Sequence, residues 1–139
     1  MLQRSDMETK LLSLLEFVDS RKDTPFKWGT NDCCLFTADA VIAMGGPDLA
    51  AKVRGKYSTE IGAKRVLSKM FKNGLKGALS GILPTVEKDF AQRGDIVLFE
   101  SELGPTFGIY WIGGIFCAGL HGSVLLEEMH DKILGVWRF

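Results

Sequence analysis

Phe26-Lys27-Trp28-Gly29-Thr30-Asn31-Asp32-Cys33-Cys34-Leu35-Phe36 decides how the rest of the chain is read, because it runs from a polar turn straight into the start of a helix. From Cys33 to Met44 only Thr37 and Asp39 are polar. Apolar residues therefore cover nearly the whole circumference, and such a helix has to be wrapped by other elements. Asn31 and Asp32 are good N-cap residues, and Gly45-Gly46-Pro47 supplies the C-terminal glycine and a breaker beyond it. A cysteine in the first turn meets unpaired N–H groups and the positive end of the helix dipole, which favour thiolate and make Cys33 a candidate nucleophile. Inert packing is the competing reading, since free cysteine is among the most buried residue types.

Before this stretch, Leu11, Leu14, Leu15 and Val18 recur at helical spacing between Met7 and Asp19, which predicts an amphipathic helix packed on the body. A polar loop, 20–25, joins the two helices. After Pro47, Asp48 to Arg54 reads as a helical turn or two ending at Gly55. Glu60 to Phe71 reads as a helix stopped at Asn73-Gly74, with Lys64, Arg65, Lys69 and Lys72 on a solvated face. Three glycines and Pro84 make 75–83 a loop or irregular turns. From Asp95 the period changes. Ile96 to Phe99, Phe107 to Ile112, Ile115 to Ala118, Val124 to Glu127 and Ile133 to Arg138 are short β-branched and aromatic runs, separated by glycine turns. Helices followed by strands predict an α+β domain over 1–139, with helices in about 1–90 laid on an antiparallel meander in about 94–139.

The chain has 139 residues, 17 basic against 17 acidic side chains and 46% hydrophobic composition, enough for one core. The missing basic excess argues against nucleic-acid or anionic-membrane binding. No apolar run is long enough to span a bilayer, and acidic residues break up the N-terminal stretch where a secretion signal would need an apolar core. Three cysteines, two of them adjacent, give no even disulfide framework and predict free thiols in a reducing compartment.

Trp28-Gly29 before Asp32-Cys33, then Arg93-Gly94-Asp95-Ile96-Val97-Leu98-Phe99, then Gly108-Ile109-Tyr110 and Phe116-Cys117-Ala118, resemble the NlpC-type cell-wall cysteine peptidases. The resemblance covers roughly Phe26 to Leu126 and implies a papain-like fold with the nucleophilic cysteine at a helix N-terminus against an antiparallel sheet. A closer resemblance is to a small family encoded in phage and prophage tail regions. It shares the Trp-Gly-x-Asn-Asp-Cys start, the element seen here as Arg54-Gly55-Lys56-Tyr57, and a terminal Trp137-Arg138.

The chain departs from the peptidase pattern where the chemistry is done. The position of the family's histidine is Thr106, and the third polar position is Cys117; neither is an imidazole. A cysteine hydrolase needs a base to form thiolate and an acid for the leaving amine, and such help is worth about 10²–10⁴ in rate. Thr106 has no useful pKa near neutrality. His121 and His130, the two histidines, fall in turns between predicted strands. Cys33, Cys34, Cys117 and a histidine make a poor metal set, because adjacent cysteines close a tetrahedral site badly and no Cys-x-x-Cys pair is present. No metal or cofactor is expected.

Together these features imply a catalytically decayed NlpC-type scaffold, with Cys33 in a vestigial nucleophile position and Trp28 and Asp32 bordering a vestigial peptidoglycan groove. The role implied by the resemblance is structural: a tail-tip or tail-assembly component assembled in the host cytoplasm, carried in the virion tail and bound to other tail proteins. The alternative is an active cysteine hydrolase or acyltransferase that uses Cys33 with a borrowed histidine.

Overall fold

The computed structural model describes residues 6–71 and 74–139. Four helices come first: α1 (Asp6–Ser20), α2 (Cys33–Ala43), α3 (Glu60–Met70) and α4 (Gly74–Ser80). Six strands follow: β1 (Thr85–Val86), β2 (Ile96–Ser101), β3 (Gly104–Trp111), β4 (Gly114–Ala118), β5 (Ser123–Glu127) and β6 (Ile133–Trp137). The strands form one antiparallel sheet in the order β1-β6-β2-β3-β4-β5. The expected α+β architecture, helices on an antiparallel sheet, is the one observed.

α2 is the buried helix its sequence predicts. Leu35, Phe36, Thr37, Ala38, Ala40 and Val41 are all buried. Phe36 and Val41 pack with Leu14 of α1 and with Ile96, Ile109 and Trp137 of the sheet. Each large apolar side chain removed from water in this way contributes roughly 1.5–3 kcal/mol before ordering costs. The sheet is apolar on both sides. Ile96 and Leu98 face the helices, while Val97 and Phe99 join Ile115, Cys117 and Val136 on the opposite face. That is why Ile96-Val97-Leu98-Phe99 is a continuous apolar run and does not alternate.

The structure corrects two expectations. Residues 74–80 form a regular helix despite their glycines, because Leu75 and Leu79, one turn apart, pack into the main core and Ser80 accepts a hydrogen bond from the Trp137 indole. The strands are a meander only from β2 to β5. β6 crosses back to lie between β1 and β2, where Val136 and Trp137 are buried. Residues 49–55 make the expected turns, with the Arg54 N–H donating to the Ala50 carbonyl at 3.0 Å. Asn73, half of the expected stop after α3, and the residues before Asp6 lie outside the described part of the chain.

Candidate functional site

The site is built from the turn that starts α2. Asp32 is buried and spends its whole carboxylate on local structure. One oxygen accepts from the Leu35 N–H at 3.0 Å, and the other accepts from the Gly29 N–H at 2.9 Å and the Tyr57 hydroxyl at 2.8 Å. Gly29 has φ +89°, and a Cβ there would stand 2.4 Å from the Tyr57 carbonyl oxygen, so no other residue fits. Asn31 is buried too. Its amide donates to the Thr24 and Pro25 carbonyls, and its oxygen accepts from Arg21 at 2.8 Å.

Arg21 also donates to Asp39 of α2 at 2.8 Å. Arg54 donates to the other Asp39 oxygen at 2.6 Å and to Asp48 at 2.9 Å. The Trp-Gly-x-Asn-Asp-Cys start and the Arg-Gly-x-Tyr element therefore form one clasp, with Tyr57 on Asp32 and Arg54 on Asp39. The clasp was not legible in the sequence, because its halves are more than twenty residues apart. Burial and the neighbouring Asp32 carboxylate push the Tyr57 hydroxyl well above its ordinary range.

Cys33 follows the cap. Its thiol points at the Ala118 carbonyl oxygen, 3.8 Å away, and interacts with the thiol of Cys117, the preceding residue on β4. Hydrogen bonding to Cys117, burial and the Asp32 carboxylate all raise the Cys33 pKa. The helix start favours a thiolate, and these surroundings oppose it. A carboxylate is seated at the helix terminus, and a second thiol stands where a cation would have to be. Within the pair, the hydrogen bond from Cys33 favours charge on Cys117. Cys34 points the other way, into an apolar cleft of about 290 Å³ that it shares with Ala38, Phe71 and Leu75. Burial, followed by the charge of Asp32, pushes its thiol up to about 12.

Cys33, Thr106 and Cys117 border one groove of about 660 Å³. Thr106 and Cys117 lie on the same face of the sheet, because Thr106 shares a face of β3 with Tyr110, Tyr110 pairs with Ile115, and Ile115 shares a face of β4 with Cys117. The Thr106 hydroxyl is occupied in the β2–β3 turn: it lies 2.6 Å from the Ser101 hydroxyl and donates to the Gly104 carbonyl at 2.9 Å. Ser101 is a neighbour the sequence reading did not single out. Trp28 packs edge-on against Phe26, with ring centroids 4.9 Å apart, and with Asp32 borders a second, smaller cavity of about 110 Å³ on the other side of Cys33.

Neither histidine borders either cavity that Cys33 lines. His121 is exposed in the β4–β5 turn. His130 sits in a single 3₁₀ turn, 2.9 Å from the Asp89 carboxylate, beside a different cavity lined by Tyr110 and Met129. Among the described residues, no three His, Cys, Asp or Glu side chains gather closely enough to hold a metal ion, and no helix is long and apolar enough to cross a membrane. What the arrangement offers chemically is two interacting thiols in an open groove, without an imidazole to move a proton.

The fold is similar to solved NlpC/P60 domains. The P60 domain of an antigen from M. avium paratuberculosis superposes with a TM-score of 0.61 at 11% identity, over 96% of both chains. An NLP/P60-family protein from Staphylococcus aureus, similar to lipoprotein, gives 0.58 at 15% identity over 99% of this chain and 43% of that one. RipD from Mycobacterium tuberculosis, described as a non-catalytic NlpC/p60 domain protein adapted to peptidoglycan binding, gives 0.50 at 15% identity over 98% of both. No curated protein sequence matches the chain. One family model, a domain of unknown function, DUF6950, matches residues 4–139. The chain thus belongs to the DUF6950 family, on a fold of the NlpC/P60 type.

Proposed function

We propose that this protein is a non-catalytic NlpC/P60-type scaffold that serves as a structural component of a phage or prophage tail, assembled in the host cytoplasm and held in the virion by contacts with other tail proteins. One observation carries the loss of catalysis: the Cys33 sulfur is flanked by Thr106 and Cys117, with no imidazole in the groove. Without a base the thiol stays protonated, and without an acid the leaving nitrogen would have to depart as an anion, which is slow. The tail assignment is supported by the Trp28-to-Cys33 start, the Arg54-to-Tyr57 element and the terminal Trp137-Arg138, which resemble a tail-region family. The groove is wide enough to keep contact with peptidoglycan stem peptides, the ligand class that RipD is described as binding.

Two measurements test this reading. Purified protein incubated with peptidoglycan stem peptides is expected to release no new amino groups beyond the Cys33→Ala control. Cleavage that depends on Cys33 overturns the non-catalytic half. Tail particles purified from an induced lysogen carrying this gene are expected to contain the chain at a fixed ratio to the tube protein. Its absence from such particles overturns the tail half.

A further inference from the structure

The two thiols at the centre of the groove have a use that needs no histidine. We propose that Cys33 and Cys117 form an intramolecular disulfide when a peroxide reaches the groove, fastening the N-terminus of α2 to β4. The geometry is specific. Cys117 is buried on the β4 face turned towards the groove, and Cys33 packs into the same apolar cluster. The Cys33 sulfur already lies 3.8 Å from the carbonyl of Ala118, the next residue after Cys117. Both side chains border the same groove of about 660 Å³, which admits a small oxidant. Two thiols that share one apolar cluster and line one groove need only local side-chain and backbone adjustment to approach the roughly 2.05 Å of an S–S bond. Cys34 is one residue away in sequence and shares the smaller cavity with Cys33, but it does not line the groove that holds Cys117, so it takes no part.

The chemistry balances in two steps. Cys117 is the better first nucleophile, because the hydrogen bond from Cys33 favours its thiolate. Its sulfur attacks one peroxide oxygen, the O–O bond breaks, and the departing hydroxide takes up a proton as water, leaving a sulfenic acid on Cys117. The Cys33 sulfur then attacks that sulfur, forming the S–S bond as the S–O bond breaks. The Cys33 proton leaves with the hydroxide as a second water. Two thiols are oxidised by two electrons in all, and hydrogen peroxide is reduced to two waters. The inference is independent of the proposed function: failure to form the bond would leave a non-catalytic scaffold as it was, and Cys33-dependent cleavage would leave the bond untouched.

The full chain is treated with hydrogen peroxide, blocked with an alkylating agent and analysed by intact mass and by unreduced peptide mapping. The expected result is loss of two hydrogens, one remaining alkylatable thiol, and a linked pair of peptides carrying residues 33–34 and 117. Cys34→Ala is expected to keep the linked pair; Cys33→Ala and Cys117→Ala are each expected to abolish it. Because Cys117→Ala alters the core, Cys33→Ala at the half-buried position is the decisive variant. The proposal is overturned by a Cys33–Cys34 bond, by a linked pair that survives Cys33→Ala, by covalent dimers in place of the internal bond, by Cys117 oxidised beyond sulfenic acid with Cys33 free, or by no reaction in excess peroxide.

Discussion

The residue that governs the site is Asp32, and its role is opposite to that of a general base. A carboxylate that accepts from two backbone N–H groups and a tyrosine hydroxyl is committed to holding the turn, and its charge adds to the Cys117 interaction and the burial that keep the adjacent thiols protonated. Asp32→Ala removes the cap and leaves buried donors unpaired. It is expected to cost about 3 kcal/mol in urea denaturation, whereas Tyr57→Phe, which removes one partner, costs about 1 kcal/mol. Installing an imidazole should restore what the groove lacks: Thr106→His is expected to raise the rate of Cys33 alkylation at pH 7 by about tenfold or more, read with Cys34→Ala in the background. An unchanged rate would mean that position 106 does not present its side chain to the sulfur. Cys34 sets a pH dependence of its own. Its thiol, ordinarily at 9.0, is pushed up to about 12 by burial, so the folded state keeps the proton that the unfolded chain loses. Stability should therefore be flat in this group below pH 9 and fall by about 1.4 kcal/mol per unit between 9 and 12, a slope that Cys34→Ala removes.

At the scale of elements, α2 is held by its neighbours more than by its own propensity. Its start is clamped by the Gly29 turn and the Tyr57 hydroxyl, and its middle by Arg21 and Arg54 on Asp39. Gly29→Ala forces a Cβ to 2.4 Å from the Tyr57 carbonyl in a left-handed conformation. It is expected to lower stability by about 2 kcal/mol or more, measured as the shift in denaturation midpoint at constant slope. A second clamp lies at the far end of the sheet. There Arg138 makes two 2.8 Å bonds to the buried carboxylate of Asp95, which also accepts from the Gln92 N–H. Arg138→Met strands that carboxylate and should cost about 2 kcal/mol, less than a fully enclosed pair because the guanidinium is partly in water. The terminal Trp-Arg motif thus has a structural meaning: Trp137 fills the core while Arg138 neutralises Asp95.

For the whole molecule, the groove and the protonated thiol follow from one arrangement, in which helices on an antiparallel sheet bring residues 33, 106 and 117 together whatever side chains they carry. The amino-acid sequence determined the elements that depend on local chemistry. The Asp32 cap, the apolar circumference of α2 and the glycine-punctuated strand runs are short-range patterns, and each was legible because its partners lie within a few residues. The same short-range patterns, matched to a known motif order, placed the three groove positions. What only the tertiary structure decided depends on contacts across long stretches of chain. The 74–80 segment became a helix because Leu75 and Leu79 found the core, β6 left the meander to pair with β2 and bury Trp137 in the main core, and the clasp between the Trp28 turn and Tyr57 closed over a loop. The charge state of Cys33 belongs to this second group. Helix position alone favours a thiolate, but in the folded chain Cys117 and the Asp32 carboxylate close around the sulfur and burial removes the water that would stabilise its charge.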